Sequence, residues 1–493
     1  MLKKYTFAHA ALGYALLIRF SLYLTNRALW LDEILLARNI QAKSFSDLLY
    51  PLDHSQMAPF GFLSVQKLFM LLFGGSEYIF RLAPFLSSIA AVIIFHAIAK
   101  KVMDQNGTFI ATLMFAICPS LIRYSAEGKQ YMFDVLVLLL GIFIAIKAIE
   151  KNWSLKHIIL FSLFGSISIW FSHPSVFVIG AIGITGGIFL LQQKRYSQLL
   201  LMIFVSLIQA AIFYSSLLPT VNAAYGQSGM SSFFTGLFPP IPITNTAEIK
   251  WYLYEPLQFF SNPLGLTFSG LAIVFFTFGV WRLWQKKRLY SMLLLSPFVL
   301  AVLAAYLRRY PIHDRLALFL VPIFYLFIAH GLAGIKKHIT NNFVYFLLIG
   351  LFLFHPLIFS LNPIISPSFF PQTRETLTYL NNHIQPQDGI YVYYKAEPSF
   401  DYYGPKKLRS HPVTIGISSR RAWLKYLPDI DKTTEQKRVW FYFSHVARWN
   451  GVNEKQLFLN YLDTIGVQKE KVANDGASLY LYDFSEPDIR SSN

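Results

Sequence analysis

The chain has 493 residues, of which 54% are apolar, 17% aromatic and only 14% charged, and its mean hydropathy is +0.43. Soluble domains carry about 25% charged residues, so a purely water-soluble protein is excluded. The net charge of +17 does not mark a nucleic-acid binder, because residues 362–493 hold 16 basic and 14 acidic residues while the first 361 hold 27 and 12, placed in loops between apolar stretches.

The N-terminus, "MLKKYTFAHAALGYALLIRF", has a basic start and an apolar run without a small-residue cleavage site, which predicts an uncleaved first span. Up to Ser360 the sequence is a series of apolar stretches of about 17–22 residues, each long enough to cross the hydrocarbon core as a helix. Spans are expected near 8–25, 79–99, 107–122, 132–149, 157–172, 175–192, 198–218, 263–283, 290–306, 315–334 and 342–361, about eleven in all. With the N-terminus in the cytoplasm, the cytoplasmic loops carry Lys3/Lys4, Lys100/Lys101, Lys151/Lys156, Lys194/Arg195, Lys286/Lys287/Arg288 and Lys336/Lys337, as the positive-inside rule asks. An odd span count then leaves the C-terminal part outside. The segment Pro59–Phe73 is short for a span and would invert every later loop, so it is read as a helix lying in the outer interface. Residues 26–78 become one large outer loop, and 220–262, with "FFTGLFPPIP", a second.

The fold class expected is therefore a polytopic α-helical membrane domain over 1–361 followed by an extracytoplasmic α/β domain over 362–493. In the latter, "GIYVYY", "RVWFYF" and "SLYLYDF" read as strands, and "RETLTYLNNHI" and "EKQLFLNYLDTI" as helices. There is no G-x-G-x-x-G, no P-loop and no paired Cys/His spacing, and the single cysteine, Cys118, can form no intramolecular disulfide.

Four constellations carry chemistry. "WLDE" sets Asp32 and Glu33 just past the first span, between apolar residues. Such a pair serves as first-turn charge for a helix through Arg38, or as a general base whose pKa is raised by desolvation and a like neighbour. A second group is basic: Arg81, Arg123, Lys129, Arg308, Arg309 and Arg315 fall at outer ends of spans, against the orientation rule. Snorkelling to headgroups accounts for Arg81. The run "LRRYPIHDRLALFLVP", with Arg308, Arg309, His313, Asp314 and Arg315, points instead to a bound phosphate, although Asp314 is also a candidate partner for Arg315. The third is "RYSAEGKQYMFD", with Glu127 and Lys129 at an outer mouth, a local Arg123–Glu127 pair at helical spacing, and Asp134 inside the next span. The fourth is "LDHSQMAPFGF", with Asp53, His54 and Gln56. Nearby "FSHPS", with His173, reads as structural.

"WLDE", "DHSQMAPFGFL", "GGSEYIFRLAPFLSSIAAV", "PSLIRYSAEGKQY" and "RRYPIHDRLALFLVP", in that order, resemble the GT-C superfamily of membrane glycosyltransferases. The likeness is to its branch of protein mannosyltransferases and lipid A aminoarabinose transferases, over roughly residues 1–335. The resemblance implies a sugar donor on a polyprenyl phosphate and reaction at the outer face of a bacterial inner membrane. It puts the catalytic base on Asp32 with Glu33 behind it. The family's "E-x-basic-x-Y" falls on Glu127, Lys129 and Tyr131, with Lys where Arg is common, and its late arginine falls on Arg315. Members differ in their need for a divalent cation, and Asp32, Glu33 and Asp53 offer part of a site for Mg or Mn.

The expected reaction has Asp32 take a proton from an acceptor hydroxyl on a glycan, lipid or protein. That oxygen attacks the anomeric carbon with inversion, and Arg315, with Arg308, Lys129 or Arg123, holds the leaving phosphate; Glu127, Tyr131, Asp53, His54 and Gln56 contact substrate. A transporter or flippase for a lipid-linked glycan would need the same cations but no carboxylate pair, and a sensor would need far fewer spans.

Overall fold

The computed structural model of the chain describes residues 6–226, 236–336, 338–339, 341–365, 371–419, 422–449 and 451–485. Lys3, Lys4, Lys337 and residues 227–235 of the second long loop lie outside the described residues. The chain forms two compact units, Met1–Thr25 with Asn39–Ile365, and Asn26–Arg38 with Ser366–Asn493.

The first unit is helical. In chain order it contains α1 (Thr6–Leu24), the end of α2 (Leu31–Ala42), α3 (Phe60–Phe73), α4 (Glu77–Val102), α5 (Gln105–Ile117), α6 (Pro119–Ser125), α7 (Tyr131–Glu150), α8 (Leu155–Phe171), α9 (Ser175–Gln192), α10 (Tyr196–Gly226), α11 (Thr246–Ser261), α12 (Ser269–Lys286) and α13 (Arg288–Tyr306). A 3-10 turn over Asp314–Leu320 then runs into α14 (Val321–Ile335), and α15 (Asn342–Ile365) follows.

Among the described residues, eight helices are long and apolar enough to cross a membrane, and nine if the bent pair α5 and α6 counts as one span. The other two expected spans fall on the shorter α8 and on α12. The short apolar segment expected at an interface is the 14-residue α3.

The bend between α5 and α6 is 55°, and its cause is local. Pro119 at the start of α6 has no N–H to donate and clashes with a continuing helix. The carbonyls freed at the end of α5 are taken up by Arg19 of α1, which is fully buried and donates to the oxygens of Phe115 (3.2 Å), Ala116 (3.3 Å) and Ala15 (3.1 Å) and to Ser88 Oγ (2.8 Å). A buried guanidinium is tolerable when its donors are satisfied. Helices α12 and α14 pack backbone to backbone. A Cβ at Gly279 would lie 1.9 Å from the Phe327 carbonyl, and one at Gly331 2.2 Å from that of Phe275. Close approach through small residues is how helices gain contact in lipid, where apolar burial gives little drive.

The second unit is an α/β structure. Its strands are β1 (Gly389–Val392), β2 (Val413–Ile415), β3 (Arg438–Ser444), β4 (Arg448–Trp449), β5 (Val452–Asn453), β6 (Val467–Asn474) and β7 (Ala477–Asp483). The main sheet has the order β2-β1-β3-β7-β6. β1 is parallel to β2 and β3, with Ile390 opposite Val413 and Trp440, whereas β7 is antiparallel to β3 and β6. β1 and β3 are buried almost throughout, which fits parallel strands covered on both faces. Helices α16 (Thr373–His383) and α19 (Glu454–Ile465) were expected, and so were β1, β3 and β7; the short helices α17 (Glu397–Tyr403) and α18 (Tyr426–Asp431) and strands β2, β4, β5 and β6 were not.

The division of the chain differs from the sequence boundary at 361/362 in two stretches: residues 362–365 belong to the helical unit, and Asn26–Arg38 groups with the C-terminal residues. Its backbone groups find their partners there. Arg374 donates to the Asn26 carbonyl, the Leu29 N–H to the Tyr403 hydroxyl at 2.7 Å, and the Leu31 N–H to His445 Nε2 at 3.0 Å. Arg38 closes the stretch on Asp401 at 2.5 Å.

Candidate functional site

In the α/β unit the two adjacent carboxylates take separate work. Trp30 is the residue before α2, Asp32 its second helical position and Glu33 its third. From that third position the Glu33 carboxylate accepts from the Trp30 N–H at 3.2 Å, the glutamate half of a capping box. The same oxygen is 2.8 Å from Arg27, and the pair is desolvated, with side-chain exposures of 6% for Arg27 and none for Glu33. Adjacent helical residues point about 100° apart, so Asp32 faces elsewhere and is half-buried.

What Asp32 faces includes His445, a residue the sequence did not single out. His445 sits just beyond β3 in a left-handed backbone conformation (φ 54°), unusual outside glycine. Burial, with the Lys395 ammonium, pushes its pKa down to about 4 against the opposing pull of Asp32. The ring is therefore neutral near pH 7. Its Nε2 accepts from the Leu31 N–H, so its proton is on Nδ1, 2.8 Å from Ser444 Oγ. His445 thus fixes the residue preceding Asp32.

The depressed value predicts a pH dependence. Neutral His445 is favoured in the native state, so its contribution is complete above about pH 6.5 and is lost as pH falls towards 4, by about 3 kcal/mol across that window. Thermal melts of the full chain in nanodiscs are expected to drop over this range more steeply for wild type than for His445→Gln. Parallel slopes would refute the assignment.

In the helical unit, six of the residues singled out from the sequence come together at one end of α6 and α7. Lys129 is buried and donates from Nζ to Gln56 Oε1 at 2.6 Å. Arg123 is half-exposed, 3.4 Å from the buried Glu127. Tyr131, at the start of α7, has its ring edge-on to Tyr124 with centroids 5.0 Å apart, and Arg315 lies over the Tyr131 ring at 5.7 Å. The turn that delivers Lys129 needs Gly128, where a Cβ would meet the Phe80 ring at 2.0 Å. Arg315, planar and rigid, suits phosphate, and Lys129 and Arg123 add positive charge beside Glu127 and Asp314.

Other expected residues take other partners. Asp53 pairs with Lys43 at 3.1 Å and is largely exposed; its N–H is bound by Asn39. His54 is exposed in a left-handed turn (φ 58°). Arg308 donates to the Ile241 carbonyl at 3.3 Å, and His313 lies 3.6 Å from Glu255. Asp134 is buried in α7. Arg81, expected to reach headgroups, is instead 2% exposed. Among the described residues no group of three or more His, Cys, Asp or Glu side chains is gathered so as to hold a metal ion. Of the carboxylates expected to offer part of a Mg or Mn site, Glu33 is taken by Arg27 and Asp53 by Lys43.

The fold has solved counterparts. ArnT from Cupriavidus metallidurans in the apo state superposes with a TM-score of 0.53 at 11% identity, over 96% of this chain and 97% of that one. The same enzyme bound to undecaprenyl phosphate gives 0.51 at 12%, with the same coverage. The apo oligosaccharyltransferase of Archaeoglobus fulgidus gives 0.50 at 11%, over 98% of this chain and 75% of that one. This is the GT-C fold. Residues 57–219 also match the family model described as dolichyl-phosphate-mannose-protein mannosyltransferase. The matched stretch contains Arg123, Glu127, Lys129 and Tyr131 and ends short of Asp32 on one side and Arg315 on the other. No curated protein matches the chain.

Proposed function

We propose that the protein is a membrane glycosyltransferase that moves a sugar from a polyprenyl-phosphate donor to an acceptor hydroxyl, with inversion, at the outer face of a bacterial inner membrane. The observation that carries this reading is the cation group around Tyr131. Lys129, Arg315 and Arg123 converge at the ends of apolar helices, where a lipid phosphate has its charge in the interface and its chain in hydrocarbon. The GT-C fold supports it, as does the undecaprenyl phosphate bound by ArnT. The absence of nucleotide-binding motifs in the sequence agrees with a lipid-linked donor.

The chemistry asks for two things. As the bond from the anomeric carbon to the phosphate oxygen breaks, negative charge grows on the phosphate, and fixed cations stabilise it. The acceptor hydroxyl must lose a proton as its oxygen bonds to the anomeric carbon. Lys129 and Arg315 suit the first role and Asp32 the second. The basic loops expected on one side of the membrane support the outer placement of both segments.

The test is release of polyprenyl phosphate from a panel of polyprenyl-phosphate sugars by purified protein in nanodiscs. Arg315→Gln and Lys129→Gln are each expected to lower kcat/KM by about 10²-fold or more. Wild-type protein that binds these lipids and never cleaves them, with or without acceptor, would sink the reading in favour of a lipid-glycan transporter.

A further inference from the structure

The α/β unit holds a cavity of about 380 Å³ that the reading above does not use. It opens beside the carboxyl end of β3, where His445 follows the strand, and is closed by the β4–β5 hairpin and the β6–β7 turn. There β3 ends beside the start of its antiparallel neighbour β7, with Phe443 opposite Ser478. The volume suits one substituted monosaccharide.

Its wall is basic and polar. Arg448 and Asn453 face it from opposite positions of the hairpin, Lys455 from the start of α19, and Asn474 and Ser478 from the sheet. No aspartate or glutamate is among the lining residues. Glu454, next in sequence to Lys455, is turned into the core and bound by the hydroxyls of Tyr393 and Tyr394.

Two ammonium groups crowd this end of the sheet. Lys455 lies 5.9 Å and Lys471 6.0 Å from the centre of the same Tyr480 ring. Burial and the neighbouring Lys471 both lower the pKa of Lys455. Lys471 itself does not line the cavity; Arg448 and Lys455, the latter 3.5 Å from Ser478 Oγ, with the amides of Asn453 and Asn474 beside them, suit an anion that also carries hydroxyls. The cavity also shares His445 with the Asp32 segment, because that imidazole both lines the wall and binds the Leu31 N–H.

We propose that this cavity binds the anionic group of a sugar, phosphate or carboxylate, through Arg448 and Lys455, and that under the transferase reading this sugar belongs to the acceptor. The role as acceptor rests on that reading; the binding does not. Because His445 joins the cavity wall to Leu31, an occupied cavity presents the acceptor to the segment that bears the base.

The experiment is binding without donor, by saturation-transfer NMR and calorimetry on the full chain in nanodiscs. Glucose 1-phosphate, glucuronate, inorganic phosphate and glucose are the probes, at low and high salt. Glucose 1-phosphate or glucuronate is expected to bind in a salt-sensitive way and glucose not to bind. Arg448→Gln and Lys455→Gln should each weaken binding about tenfold or more, and Lys425→Gln, an exposed charge of the same unit outside the cavity, should leave it unchanged. The phosphate and glucuronate arms tell which anion is taken. Equal binding of glucose and the charged sugars, binding of inorganic phosphate alone, unchanged affinity in both cavity variants, or an equal loss in Lys425→Gln would each overturn the proposal. Because no turnover is read, these failures leave the transferase reading standing, and failure to cleave lipid-linked sugars leaves the cavity standing.

Discussion

Asp32→Asn is expected to bind a polyprenyl-phosphate sugar as wild type does and to transfer the sugar at least about 10²-fold more slowly. The substitution keeps shape and removes basicity. Asp32 is half-buried at the second position of α2, so as a first-turn charge it stabilises the helix by only about 0.3–1 kcal/mol. The folded protein should therefore survive the change, and a fall in kcat would report chemistry. The parallel measurements are kcat, lipid affinity and melting temperature on one preparation. A variant that melts slightly lower and turns over at the wild-type rate would return Asp32 to the role of helix charge and leave the proton without a base. An intact kcat with weakened lipid binding would instead mark Asp32 as a donor-binding group.

Much of the helical unit was legible because apolar stretches long enough to cross a bilayer admit few alternatives. The bend between α5 and α6 was not. The expected single span over 107–122 ignored Pro119, whose cost is met by Arg19 from a helix about a hundred residues earlier. In the α/β unit, β1, β3 and β7 announced themselves by aromatic and β-branched runs. β6, "VQKEKVAN", did not, because it is an edge strand with an alternating, largely exposed pattern, and charges on an edge protect against stray pairing. β2 has three residues and leaves no period to read.

The site was legible by residue type and less so by grouping. Gln56 and Lys129 were both singled out, but their hydrogen bond joins positions 73 apart. Arg315 over Tyr131 is likewise a contact of the fold and not of any motif. The Asn26–Arg38 stretch reads as a membrane loop until its backbone partners are known, and these, Tyr403 and His445, lie 374 and 414 residues downstream. A histidine acting as acceptor for a backbone N–H has no sequence signature. The acidic pair shows the same limit, since sequence gives two equivalent carboxylates and packing makes one structural.

That division leads to the largest expected effect on folding. Removing Glu33 as Glu33→Ala takes from the Arg27 guanidinium, 6% exposed, the carboxylate 2.8 Å away, and breaking a buried pair in this way costs about 3–5 kcal/mol. It also strips the Trp30 N–H of its acceptor. Glu33→Gln keeps that acceptor and loses the charge, so it should be destabilised by less. The double change Arg27→Met, Glu33→Leu removes both charges and should recover most of the loss, since apolar replacement of a buried pair is often neutral. Melting of the full chain in nanodiscs and protease protection of residues 26–38 give the readouts, and Glu33→Ala is expected to melt about 3–5 °C lower. The discriminating measurement is turnover per folded molecule. If Glu33 is structural, Glu33→Gln retains kcat at a temperature where it is folded, while Asp32→Asn does not. A Glu33→Gln variant that melts like wild type and loses kcat as deeply as Asp32→Asn would make Glu33 the chemical carboxylate and Asp32 its support.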